Sequence, residues 1–120
     1  MKKAVFKFEE LKVYQKALDF VDQVYEVTKE FPDDERYGLI SQYRRAAQSI
    51  ALNIAEGAGD TDAQFNRFLT ISQGSSKECL VCATIAKRQH YISEAKDMEF
   101  RLALSQMAKM ITSLQKYLTK

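Results

Sequence analysis

The sequence has no tryptophan, one proline, two cysteines, one histidine and four glycines in 120 residues. Each scarcity excludes something. So little Gly and Pro rules out collagen-like and linker compositions. Two cysteines cannot form the disulfide framework of a small secreted domain, so a reducing cytoplasmic setting is expected. One histidine and two cysteines are too few for a four-ligand zinc site. No apolar run approaches the roughly 20 residues that span a bilayer, so no membrane association is expected. The N-terminal Met1-Lys2-Lys3-Ala4-Val5-Phe6-Lys7 has charge but no apolar h-region, so it does not read as a secretory signal.

What is present suits one globular domain over 1–120. Hydrophobic residues make up 46% and charged residues 28%, too apolar for disorder and enough for a single core. The net charge is +2, small for a domain committed to nucleic acid. Its distribution says more. Residues 1–60 carry nine basic and eleven acidic side chains, and residues 61–120 carry nine and five. The positive surplus therefore lies in the second half; chance asymmetry on solvated faces is the competing explanation.

Sparse punctuation divides the chain into four long pieces, with no repeat and no alternating strand pattern. The first helix is expected from about Glu9 to Glu30. Tyr14, Ala17, Leu18, Val21, Tyr25 and Thr28 share a stripe at about 100° per residue, with a second apolar strip of Val13, Phe20, Val24 and Val27 beside it. Phe31-Pro32 breaks this helix, and Asp33, Asp34 and Glu35 open the second, which runs to about Glu56. Its core stripe is Leu39, Tyr43, Ala46, Ala47, Ile50 and Ile54, and Gly57 suits a left-handed stop.

Thr61 to Gln64 reads as a capping box for the third helix. Phe65, Phe68, Leu69, Ser72, Ser76, Cys79, Leu80, Ala83 and Ala86 form its face, and it ends near His90. Ser93 caps the fourth, whose Phe100, Leu104, Met107, Ile111, Leu114 and Leu118 make a heptad-like seam. Connections of three to five residues imply antiparallel neighbours. The expected fold is all-α, an up-down-up-down four-helix bundle.

Few residues suggest chemistry. Cys79-Leu80-Val81-Cys82 lies mid-helix in apolar surroundings, where a redox pair would gain no thiolate stabilisation; it reads as two small buried thiols. His90 has no nucleophile or acid at a catalytic spacing. Gly57-Ala58-Gly59-Asp60 lacks the lysine and preceding strand of a phosphate loop and reads as a helix stop followed by a helix start. No catalytic, cofactor or metal site is expected, and a non-enzymatic role follows.

The second helix holds the unusual feature. Gln42, Arg45, Ser49, Asn53 and Glu56 line a strip beside the core stripe, with Glu78 on a comparable flank of the third helix. Mixed amides, hydroxyl and single charges read as a half-buried hydrogen-bond network between helices, the alternative being an ordinary polar edge. Apolar residues also exceed what a four-helix core can use. Phe20 and Val27, then Ile71, Val81 and Ile85, and Leu52, fall outside the stripes. Monomers rarely expose such a patch, so a homo-oligomer is expected.

The stretch Phe31-Pro32, Glu35-Arg36-Tyr37-Gly38-Leu39, Gln42, Arg45-Ala46-Ala47-Gln48-Ser49-Ile50 and Asn53-Ile54-Ala55-Glu56-Gly57 resembles the signature of a bacterial family. That family is the four-helix bundle proteins encoded in intervening sequences of 23S ribosomal RNA genes. Phe8-Glu9-Glu10-Leu11, Tyr14-Gln15-Lys16-Ala17, Phe65, Arg67-Phe68-Leu69, Gly74-Ser75 and Glu78 extend the resemblance over about residues 6–118. It implies a bundle that assembles as a ring of five. The accessory proteins of diversity-generating retroelements are similar, which implies association with a reverse transcriptase and with RNA or DNA. The expected function is an oligomeric module that binds nucleic acid or a protein handling it; a scaffold without nucleic-acid contact is the alternative. Arg44, Lys77, Lys87, Arg88, Lys109 and Lys116 are the candidate contacts. For Lys87 and Arg88, favourable placement at a helix C-terminus is an equal explanation.

Overall fold

The structure is a computed structural model and describes residues 2–120. After a 3₁₀ turn over Lys7–Glu10, Leu11 sits in extended conformation and starts α1 (Lys12–Thr28). The helix stops ahead of Phe31-Pro32, as a missing N–H requires. Asp33–Glu35 then form a separate 3₁₀ turn and not the first turn of α2 (Leu39–Gly57). The acidic charge nevertheless reaches that helix, because Glu35 Oε1 accepts the Leu39 N–H at 3.2 Å. The first connection is consequently longer than expected.

The other two connections are short. Thr61 Oγ1 accepts the Gln64 N–H at 3.2 Å and begins α3 (Asp62–Arg88). Ser93 Oγ accepts the Lys96 N–H at 3.0 Å and begins α4 (Glu94–Leu118). Between them α3 ends in a Schellman turn. His90 takes the left-handed position (φ 66°), its N–H donating to Lys87 O at 3.0 Å, while the Tyr91 N–H reaches back to Ala86 O at 2.8 Å. At the α2–α3 corner the left-handed residue is Gly59 (φ 89°), not Gly57. Gly57 ends the helix in a buried position where an added Cβ would lie 2.8 Å from Phe68 Cβ and 3.1 Å from Phe65 Cα. It is there for close approach.

The four antiparallel helices pack in chain order, and α1 closes against α4, forming the expected all-α bundle. Tyr43 and Phe20 set their rings edge-on to Phe100, at 6.0 and 5.8 Å between centroids. The small residues of α3 let α2 approach until Ser72 Oγ donates to Ile50 O at 3.0 Å. The core stripe expected for α2 is buried throughout, and the α4 seam is buried from Phe100 to Ile111.

In α1 the buried face takes Ala17 and Thr28 from the first apolar strip and Val13, Phe20 and Val24 from the second. Of the first strip, Tyr14, Val21 and Tyr25 are half-buried and Leu18 is exposed. Phe20 is thus core and not surplus, and Val27 packs partly against the core. The cause is polar. Thr28 satisfies its hydroxyl within the helix, donating to Val24 O at 2.7 Å. Tyr25 carries a phenol that is met at the α1–α2 seam by the Gln48 amide.

Candidate nucleic-acid interface

Past Glu99, α4 carries Arg101, Lys109 and Lys116 and no acidic residue, and Lys120 follows its end. Helical spacing sets Lys109 two turns before Lys116 on one outward row. On α3, Lys77 and Arg88 lie three turns apart, also on one row. Antiparallel packing brings the two rows to either side of the α3–α4 groove. Amides and hydroxyls bridge it: Gln73 Nε2 donates to Ala108 O (3.1 Å) and Thr112 Oγ1 (3.2 Å). Gln115 Nε2 donates to Thr70 Oγ1 at 3.0 Å. Basic groups among amides and hydroxyls are the residue types that contact phosphates. Glu94 and Glu99 are engaged, with Lys87 at 3.2 Å and Lys96 at 2.9 Å.

Lys77, Arg88, Lys109 and Lys116 are exposed on this face. Lys87 is at its edge, tied to Glu94. Arg44 is not brought to it. Its guanidinium lies 4.5 Å from the Tyr25 ring centroid, and Nε donates to Thr28 Oγ1 at 2.9 Å, so it packs α1 on α2.

The sequence reading missed Arg101. Its Nε donates to Asp97 Oδ2 at 2.9 Å and its Nη2 to Thr84 Oγ1 at 2.9 Å. The Asp97 side chain is 3% exposed, so a buried carboxylate fixes a guanidinium that is itself 43% exposed. The signal was available as the acid-free run after Glu99, with Arg101 four residues beyond Asp97.

The polar strip of α2 is narrower than its sequence pattern. Ser49 and Asn53 are half-buried, Asn53 Nδ2 donating to Ser49 O (2.8 Å) and Oγ (3.0 Å). Ser75 of α3 completes the link, its hydroxyl donating to Ser49 Oγ at 2.7 Å. Gln42, Arg45, Glu56 and Glu78 are exposed and outside this link.

Apolar surface is interleaved with this face and also lies beyond it: Leu102, 62% exposed, stands two turns before Lys109 on the α4 row. Phe8, Tyr14, Leu18, Val21, Leu52 and Ala55 line an open groove of about 450 Å³ on α1 and α2. Ile71, Val81 and Ile85 stand 44, 56 and 41% exposed on the outer side of α3. Cys79 and Cys82 are buried free thiols. Among the described residues, no helix is long and apolar enough to cross a membrane.

These features define an antiparallel four-helix bundle with an acid-poor basic stretch along α3 and α4 and exposed apolar surface on α1, α2 and α3. The model of the 23S rRNA-intervening sequence protein family matches residues 9–113, and the chain belongs to that family. In fold it is similar to a protein of unknown function from the S23 ribosomal protein family of Bacteroides thetaiotaomicron. That likeness has a TM-score of 0.79 at 22% identity and covers 87% of this chain and 98% of the other. No curated protein matches the sequence.

Proposed function

We propose that the protein is a non-enzymatic bundle that assembles with its own copies and binds RNA or DNA through the basic rows that flank the α3–α4 groove. Binding would be direct or together with a nucleic-acid-handling protein such as a reverse transcriptase. The acid-free basic run of α4 beside Lys77 and Arg88 carries this reading. One copy at +2 is a weak electrostatic partner. Five copies, the number the family resemblance implies, would total +10 and repeat the basic face, so weak phosphate contacts would act together.

The apolar faces supply the contact between copies. The α1–α2 groove and the outer side of α3 are different surfaces, so their pairing would be head-to-tail, the kind that closes into rings. Titrating a fluorescent oligonucleotide at several salt concentrations tests the reading. Anisotropy should rise at low salt, with affinity falling steeply as salt is added. No rise at about 50 mM salt favours a scaffold without nucleic-acid contact. That second reading draws on Arg44 and Lys87 already having protein partners.

A further inference from the structure

A cleft of about 280 Å³ opens between α3 and α4 in the middle of the basic face. Its walls are Leu80, Leu104 and Ala108, with Lys77, Arg101 and Ser105 around them. Ser76 also lines it, is 6% exposed, and keeps a hydroxyl that has no hydrogen-bond partner among the described residues. Phosphate binding explains none of this. An aliphatic slot repels a phosphate.

We propose that this cleft takes one unpaired nucleobase of single-stranded RNA or DNA, with the adjoining phosphate on Lys77 and Arg101. The proposal rests on the nucleic-acid reading above and narrows it to the single-stranded form. A base has apolar faces and polar edges. The faces suit Leu80, Leu104 and Ala108, and the polar edge stays toward solvent at the mouth of the cleft. The volume lies just below the roughly 300–1,000 Å³ of drug-sized clefts, which suits one planar ring system.

Charge complements the rest of the nucleotide. The Arg101–Asp97 pair is neutral as a unit, so Lys77 supplies the net positive charge. Arg101 supplies a donor held in place. Nε and Nη2 are occupied by Asp97 and Thr84, and Nη1 is left for a phosphate oxygen. A paired base cannot enter without leaving its stack, whereas a single strand offers one at least cost. Among the described residues, no aromatic side chain lines the slot. The base is held between aliphatic walls and sequence preference should be slight.

The test uses oligonucleotides with 2-aminopurine at a central position, single-stranded and in a duplex of equal length. Emission from this base is quenched by stacking on its neighbours. The proposal expects emission to rise when the single strand binds, with affinity about tenfold above the duplex. Ser105→Leu fills the rim of the cleft from an exposed position without changing charge. It should abolish the rise and the single-strand preference while salt-sensitive binding remains, and circular dichroism checks that it stays helical. Lys77→Glu should weaken binding of the single strand. Equal affinity for both forms with unchanged emission overturns the base-in-cleft proposal and leaves the phosphate face standing. Absence of binding by either form at low salt overturns both.

Discussion

Tyr91 Oη donates to Glu35 Oε2 at 3.0 Å, while the other oxygen of the same carboxylate accepts the Leu39 N–H. One side chain therefore caps α2 and ties the α1–α2 connection to the α3–α4 connection. The Phe31 ring packs 5.3 Å from Tyr91 on the same side. The bond also acts on the phenol: Glu35 accepting its proton raises the Tyr91 pKa, with desolvation adding to the effect. Glu35→Ala removes both contacts and should lower the melting temperature more than Tyr91→Phe, which removes one. A double mutant no less stable than Glu35→Ala alone would show that the two act through one bond. Equal stability of all three variants and the parent would refute the tie.

Gly57→Ala sets two effects against each other. Alanine is the better helix former by about 1 kcal/mol. Its Cβ, however, would lie 2.8 Å from Phe68 Cβ and 3.0 Å from Phe65 Cδ1, with the Phe65 backbone just behind. These atoms belong to the first turns of α3 and cannot swing away as a side-chain tip can. Overpacking of this kind costs about 1–3 kcal/mol, so net destabilisation is expected. Chemical denaturation should give a lower midpoint with an unchanged slope; a stabilised variant would mean the corner relaxes freely.

Alkaline pH should weaken the fold. Burial pushes the Cys82 thiol up to about 11, with Glu78 adding to it, and raises Cys79 and the Tyr43 phenol further. In the unfolded chain these groups lose their protons near pH 8.5 and 10. A group whose folded pKa is raised contributes stability below its unfolded pKa and loses it as pH rises toward the folded value. For Cys82 that window runs from about 8.5 to about 11. The melting temperature should hold between pH 7 and 8 and fall by pH 10. A thiol reagent at pH 8 should label neither cysteine in the native protein and both in denaturant. Rapid labelling of native protein would contradict their burial.

Much of the bundle could be read from residue spacing: the stripe it picks out on α2 is buried throughout, and that on α4 from Phe100 to Ile111. In α1 two adjacent strips compete. Spacing cannot rank them, since the outcome turns on which polar groups find partners. Thr28 bonds within its own helix and is buried, while Tyr25 needs Gln48 and sits at the seam. Arg44 looked like a free cation for the same reason: its partners Tyr25 and Thr28 lie on another helix. The cleft between α3 and α4 was invisible for a different cause. It depends on how two antiparallel helices align, and that alignment placed Arg101 beside Thr84 and Lys77 across from Ser105.

Leu52 is 65% exposed beside the α1–α2 groove, and Ile85 is 41% exposed on the outer side of α3. Neither is part of the buried core of its own bundle. A charge at either position should leave the monomer fold intact, since surface substitutions rarely shift stability by more than about 0.5 kcal/mol. A charge buried between copies is costly unless paired. Leu52→Glu and Ile85→Lys should therefore each reduce the mass seen by light scattering at micromolar concentration while keeping the helical signal. Head-to-tail pairing adds a sharper expectation. Mixing the two variants should restore limited association, because each retains one intact face and the two unaltered faces are complementary. Were each face instead to pair with its own kind across a two-fold axis, a mixture could form only contacts between like variants on their unaltered faces. The unmixed variants would then already show dimers. A parent protein that scatters as 13.8 kDa would end the assembly reading.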